Sequence, residues 1–535
     1  MLKEKNEKIV ERYYLQNLAS KICYIEGKKE GLKYPQNFNK VSQCRVARYS
    51  KDSDISILRS KEYGTSHYGG LVVCAGAWVC PVCAPIIQAK RSERVSQAFH
   101  WAHSLDLRTD AIYISKEEHA RRAFEDSQFE NGFIFKKKRR QFMPTPELLT
   151  KNLKVALITF TTPHSRTDTV DTLFPKFQSA MAFMKEHRRY KDFKKSIGYV
   201  GEITATEMTF GENGPHIHRH VLYFMDDRYK DQTDNQEFAD EVSEIVLKDF
   251  FDRAWGSALQ KTGLLQNFGS KQYADFLAHG IDVIPRAHET DYLTKAGTEE
   301  WGADAEITKQ SSKQGKKHGR TPFQILADSA KSAKDSETFL DYVKGTKGKA
   351  QLTFSAGFKN LIGLDELSDE KQDELDASES DDPADLLASL DYSDWSFVVK
   401  SKNRGQLLRI ASEQGKEGID AFIQSLKEGK QELTDEELFF KHYEKLLSLY
   451  KAYPNTYVNP ELHKNSEDMK AFVVDHYSTD IEEIEKNNIG FEDKTEYTKK
   501  EKEVSDFSNV YILSKEEEER ANSQSFKNMI KSITL

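Results

Sequence analysis

The densest chemistry in the chain is Glu207-Met208-Thr209-Phe210-Gly211-Glu212-Asn213-Gly214-Pro215-His216-Ile217-His218-Arg219-His220. Successive side chains of a strand point to opposite faces, so His216, His218 and His220 share one face. Gly211-Glu212-Asn213-Gly214 is a hairpin turn signal between two strand-like runs, Ser196–Phe210 and His216–Met225. A turn there pairs Phe210 with Pro215, and so sets Glu207 opposite His218, Thr209 opposite His216 and Ala205 opposite His220. One carboxylate and three imidazoles then lie on a common face. Such a donor set suits Mn²⁺ or Mg²⁺ with open positions for phosphate oxygens. A lone histidine would be an ordinary surface residue, but packed cores seldom collect ionisable groups at period two. Which two of the three histidines take the ion stays open.

A second constellation is Cys74-x5-Cys80-Pro-Val-Cys83, with Cys44 thirty residues upstream. A C-P-x-C turn aims two thiolates at one tetrahedral centre, and the four together suffice for a closed structural Zn²⁺ site. A packed apolar cluster around Trp78 or a redox pair are the alternatives. Cys23 is left over as a buried thiol. On the helix expected at Pro85–Ser104, Lys90, Arg91 and Arg94 are candidates for contact with a phosphate backbone.

Breaking a phosphodiester also needs a nucleophile. Tyr292 and Lys295 lie three apart, on one face of a helix, where the lysine can balance charge on a phosphate and favour the phenolate. Alone, Tyr-x-x-Lys is a weak motif in a chain with 23 tyrosines. Its surroundings carry a family resemblance. The hairpin resembles the His-hydrophobic-His (HUH) signature of rolling-circle replication initiators, with Glu207-Met208-Thr209, Asn213-Gly214 and His216 through Leu222 in the family's order. The run Leu157–Ser165 resembles the family's first strand. His279-Gly280-Ile281-Asp282-Val283 before Tyr292, Arg320–Leu326 and Lys347–Ser355 resemble further blocks. One departure is Arg219, which stands where the pair His218/His220 would enclose a hydrophobic residue. Taking His216/His218 as the pair restores that residue, Ile217, but shifts the register by two.

The resemblance implies a central antiparallel sheet, commonly five-stranded, flanked by helices. It also implies an endonuclease that nicks the origin through Tyr292, leaving a 5′-phosphotyrosine and a free 3′-hydroxyl. Its cofactors would be Mn²⁺ or Mg²⁺ in catalysis and structural Zn²⁺. Its partners would be origin DNA, single-stranded at the nick, and a host helicase and polymerase. Glu289, three residues before Tyr292, is the candidate base for termination. An HUH transposase or relaxase, or a zinc-containing DNA-binding regulator without cleavage, are the competing functions.

The elements that must position these groups follow from composition and periodicity. Five cysteines in 535 residues make no disulfide scaffold, and no apolar run reaches the roughly 20 residues of a membrane span. The expected location is the cytoplasm, with no membrane partner. Residues 351–535 hold 23 Lys and Arg against 40 Asp and Glu, a net of −17, while the first 350 residues carry +9. A basic front suits nucleic acid. The sequence predicts an α+β chain in five parts. Residues 1–110 form a Cys-rich zinc subdomain of short strands and turns before the Pro85–Ser104 helix. Residues 111–150 form a loop-rich basic insertion carrying KKKRR at 136–140. Residues 151–364 form the nuclease domain, 365–386 an acidic linker, and 387–535 a helical acidic C-terminal region.

Overall fold

The computed structural model describes residues 2–29, 39–50, 54–129, 143–288, 319–364, 367, 369–378 and 383–428. Glu289, Tyr292, Lys295 and the KKKRR run lie outside the described residues, as does everything after 428. Eight strands are described: β1 (Ile55–Ser60), β2 (Ser66–Gly69), β3 (Leu153–Thr161), β4 (Tyr199–Gly211), β5 (Gly214–Asp226), β6 (Ile281–Ile284), β7 (Leu352–Phe354) and β8 (Ala384–Leu390). They form two antiparallel sheets, one in each of two compact units.

The first unit joins the N-terminal region to the chain beyond residue 380 around a three-stranded sheet, in the order β2-β1-β8. Here β1 pairs along its length with β8, from Ile55 opposite Leu390 to Ser60 opposite Ala384. A helix at Leu2–Lys29 packs on another at Arg404–Glu428. The buried Trp395 meets Tyr68 edge to face at 4.9 Å, and its indole N–H donates to the Val46 carbonyl. Arg404 is buried and donates to the carbonyls of Cys44 (3.1 Å) and Arg45 (2.9 Å), which fixes the loop that carries Cys44.

Three sequence expectations are corrected here. Residues 2–29 are one helix rather than short strands and turns. The expected insertion at 111–150 begins as helix, because Leu105–Phe129 runs through its first half. The acidic stretch 365–386 is no simple solvated linker. It contains the helix Asp369–Ser378 and the start of β8. Two of its carboxylates, Asp373 and Asp376, pair with arginines instead of facing solvent, and β8 is fixed by a partner strand more than 300 residues away, a pairing that local pattern does not reveal.

The second unit contains a five-stranded sheet in the order β6-β3-β5-β4-β7, with the histidine strand β5 at its centre. Hydrophobic residues of β3, β4 and β5 alternate onto both faces, as expected of a sheet with helices on each side. On one face Val155, Leu157, Ile203, Leu222 and Phe224 pack with Val95, Phe99 and Ala102 of the helix Cys83–His103. On the other, Phe160 meets Phe251 (5.3 Å) and Trp255 (5.6 Å) of the helix Gln236–Lys261, and Trp255 meets Phe177 (5.2 Å) of the helix Val170–Glu186. No described helix is long and apolar enough to cross a membrane.

Candidate functional site

The β4–β5 hairpin has the register that its turn residues dictate. Glu207 stands opposite His218, Thr209 opposite His216, Ala205 opposite His220 and Phe210 opposite Pro215. Gly214 adopts φ +90, and a Cβ there would meet the Ser165 carbonyl oxygen at 2.5 Å, so only glycine lets the hairpin tip lie against the loop after β3. On the other side of β5, Thr159 stands opposite His220 and Thr161 opposite His218. The face that packs as core near Leu157 and Leu222 thus continues, two residues further along each strand, as Thr159, Thr161, Glu207, Thr209 and the three histidines. The core end anchors the strands, and the polar end gathers the imidazoles, the carboxylate and the hydroxyls.

His220 is the most fixed of the three. Its Nδ1 lies 3.0 Å from the Thr159 hydroxyl and its Nε2 3.3 Å from Glu207 Oε2. The rings of His218 and His220 are parallel within 5°, with centroids 6.2 Å apart. His218 Nδ1 is buried and has no hydrogen-bond partner among the described residues. His216 lies 3.9 Å from His218 and stacks on His164 at 4.5 Å and 22°. Burial, then the adjacent rings of His218 and His164, push His216 down to about 3. Burial, then His220 and His164, push His218 down to about 4. Both are neutral at neutral pH, the form in which imidazole ligates a metal.

Arg219, the departure from the family pattern, points to the opposite, helix-covered face. Its guanidinium lies 5.1 Å from the Phe177 ring centroid, and Nε donates to the Thr206 hydroxyl at 3.1 Å. Its aliphatic stem occupies the place of a hydrophobic side chain, as long cationic residues can. The pair His218/His220 therefore keeps the alternation of the pattern with an arginine in its middle. Sequence reasoning missed two partners of this face, Thr159 and His164. Both sit in the quoted run Leu157–Ser165, and the strand register supplies the signal that would have found Thr159.

The cysteines gather as expected. The ligand atoms of Cys44, Cys74, Cys80 and Cys83 all lie within 4.8 Å of one another, three of the residues are buried, and the group can hold a metal such as zinc. Among the described residues it is the only group of three or more His, Cys, Asp and Glu ligands drawn together so closely. The histidines and Glu207 share a face but are not closed to that spacing. Cys83 opens the helix Cys83–His103, whose N-terminal dipole favours a thiolate. Cys23 stands apart, its thiol pushed up to about 12 by burial and then by Glu26.

The three basic residues of that helix are engaged within the protein. Arg91 is buried and pairs with Asp373 at 2.8 Å and with the Gln351 side chain at 2.6 Å. Arg94 forms a two-pronged pair with Asp376, and Lys90 lies 3.6 Å from Glu93. Asp373 and Asp376 belong to the helix Asp369–Ser378, inside the stretch expected to be a linker.

Fold and site together define an α+β protein with two antiparallel sheets, a four-cysteine group that can hold a metal, and a histidine-rich hairpin face. The chain is similar to a curated protein named Protein rep from Streptomyces lividans, 22% identical over 411 residues that span 66% of this chain and 78% of that protein. No family model matches the chain. No solved structure matches it.

Proposed function

We propose that this chain is a Rep-type replication initiator that nicks one strand of its origin through Tyr292. The observation that carries the proposal is the hairpin register, which sets Glu207 opposite His218 beside a His220 held by Thr159 and Glu207. The likeness to Protein rep supports the replication role. The donor set fits a divalent cation, since two imidazoles, a carboxylate and a buried, unpartnered His218 Nδ1 supply the nitrogen and oxygen donors such an ion takes.

Glu207, His218 and His220 would hold Mn²⁺ or Mg²⁺, with His216 outside the set; when bound, the ion supplies charge neutralisation and polarisation at the scissile phosphate. The phenolate oxygen of Tyr292 attacks phosphorus, forming the P–O bond to tyrosine as the bond to the 3′-oxygen breaks. The phenol proton leaves to solvent or a base, and the departing 3′-oxygen takes a proton to become the primer hydroxyl. Lys295, three residues on in the sequence, favours the phenolate and balances phosphate charge. Glu289 activates the water that ends the cycle. The four-cysteine group holds zinc and folds its surroundings.

A cleavage assay tests this. Single-stranded oligonucleotides tiling the DNA around the gene are incubated with Mn²⁺ or Mg²⁺ and either wild type or Tyr292→Phe. A metal-dependent nick at one site, with DNA covalently attached to wild type alone, is the expected result. Attachment that persists in Tyr292→Phe moves the nucleophile elsewhere. Tight binding without cleavage of any tile overturns the nuclease in favour of a DNA-binding regulator.

A further inference from the structure

The proposed metal set uses His218, His220 and Glu207 and leaves two imidazoles over, His216 and His164. His164 lies in the loop that follows β3, and three observations fix it there. Its ring stacks on His216 at 4.5 Å and 22°. Its Nδ1 is 3.3 Å from the Thr162 carbonyl. The loop itself is closed by Asp168, whose carboxylate accepts from the Ser165 backbone N–H (2.7 Å) and hydroxyl (3.0 Å), and it lies against the hairpin at Gly214. His164 is thus a half-buried, preorganised aromatic plane that continues the row of rings His218, His216, His164 away from the metal set. Two residues further, Arg166 is exposed and has no hydrogen-bond or ion-pair partner among the described residues.

Single-stranded DNA is held by two kinds of contact, aromatic planes that stack on bases and cations that meet phosphates. We propose that the loop Thr162–Asp168 is a single-strand platform. In it the base of a nucleotide beside the scissile phosphate stacks on His164, and a neighbouring phosphate pairs with Arg166. The inference rests on the nicking function proposed above and adds a residue pair that holds the strand on the metal side of the hairpin. His164 acts here through its ring plane, not through a nitrogen, and that distinction makes the idea testable.

The experiment uses the full chain carrying Tyr292→Phe, so that bound DNA is not attached, with Mn²⁺ present. The probe is the single-stranded oligonucleotide that wild type nicks or, if it nicks none, the one it binds most tightly. The fluorescent base 2-aminopurine replaces each nucleotide in turn. Stacking on His164 predicts strong quenching confined to one position. His164→Ala should remove that quenching and weaken binding about tenfold, the scale of one base–aromatic stack. His164→Phe should restore both. Arg166→Ala should weaken binding of every sequence alike and lower the salt dependence by about one counterion. If His164→Ala binds and quenches like its parent, the platform is refuted while the nuclease stands. If His164→Phe fails as badly as His164→Ala, the nitrogens matter and stacking is refuted. A protein that binds no single-stranded oligonucleotide overturns the proposed function and the platform together.

Discussion

Arg219 offers the sharpest energetic test, because it sits between two site histidines yet points away from them. Burial, opposed by Glu202, moves its guanidinium from 12.5 down to about 10. That displacement corresponds to about 3 kcal/mol spent in keeping the charge inside. In return the side chain gains a charged hydrogen bond to Thr206 at 3.1 Å, about 1.5–3 kcal/mol, and a cation–π contact with Phe177 of about 0.5–1 kcal/mol. These terms nearly cancel, so the net value of Arg219 lies in the volume of its stem over Phe177. Arg219→Leu keeps most of that volume and should change the unfolding free energy by no more than about 1 kcal/mol. Arg219→Ala loses the same polar contacts and also leaves a gap, which costs about 2–4 kcal/mol. Urea unfolding of the three proteins at pH 7 provides the comparison, with Mn²⁺ affinity and nicking as controls that Leu should leave unchanged. If Leu destabilises as much as Ala, the charge rather than the stem holds this face. If Leu abolishes Mn²⁺ binding with stability intact, Arg219 serves the metal side after all.

The neighbouring buried network makes a pH prediction. Burial tends to raise the Glu202 carboxyl, but Lys185 and Lys194 outweigh it and leave it below its ordinary range, while burial holds the Lys194 ammonium at about 8. A lysine lowered in the folded state binds its proton more weakly than in the unfolded chain, so this group adds stability as pH rises from about 8 toward 10.5. Glu202→Gln leaves two ammonium groups without their carboxylate and should cost about 3–5 kcal/mol at pH 7, with a smaller loss at pH 10. A loss independent of pH in urea unfolding would disprove the coupling. For the cysteine group, Cys83→Ser should cost the protein a tightly bound zinc, measured by elemental analysis of purified protein, and lower the thermal midpoint. Chelation of wild type should do the same, since structural zinc contributes directly to folding free energy. A zinc-free wild type with an unchanged midpoint would exclude a structural metal.

Much of the site was legible because its rules are local. Strand alternation put three histidines on one face, a glycine-flanked turn fixed which residue faces Glu207, and the Cys-Pro-Val-Cys spacing marked two of the four cysteines that gather. Each needs only neighbours in sequence and the fixed geometry of the backbone. The tertiary structure decided what depends on distant partners. It paired Arg91 and Arg94 with Asp373 and Asp376, carboxylates 282 residues away in sequence. It paired β1 with β8 and so joined the N-terminal region to the chain beyond residue 380. It linked His220 to Thr159, some sixty residues away, and laid His164 on His216. Such contacts form because burying apolar strands and helices brings remote segments together, and no local periodicity records which segments those are.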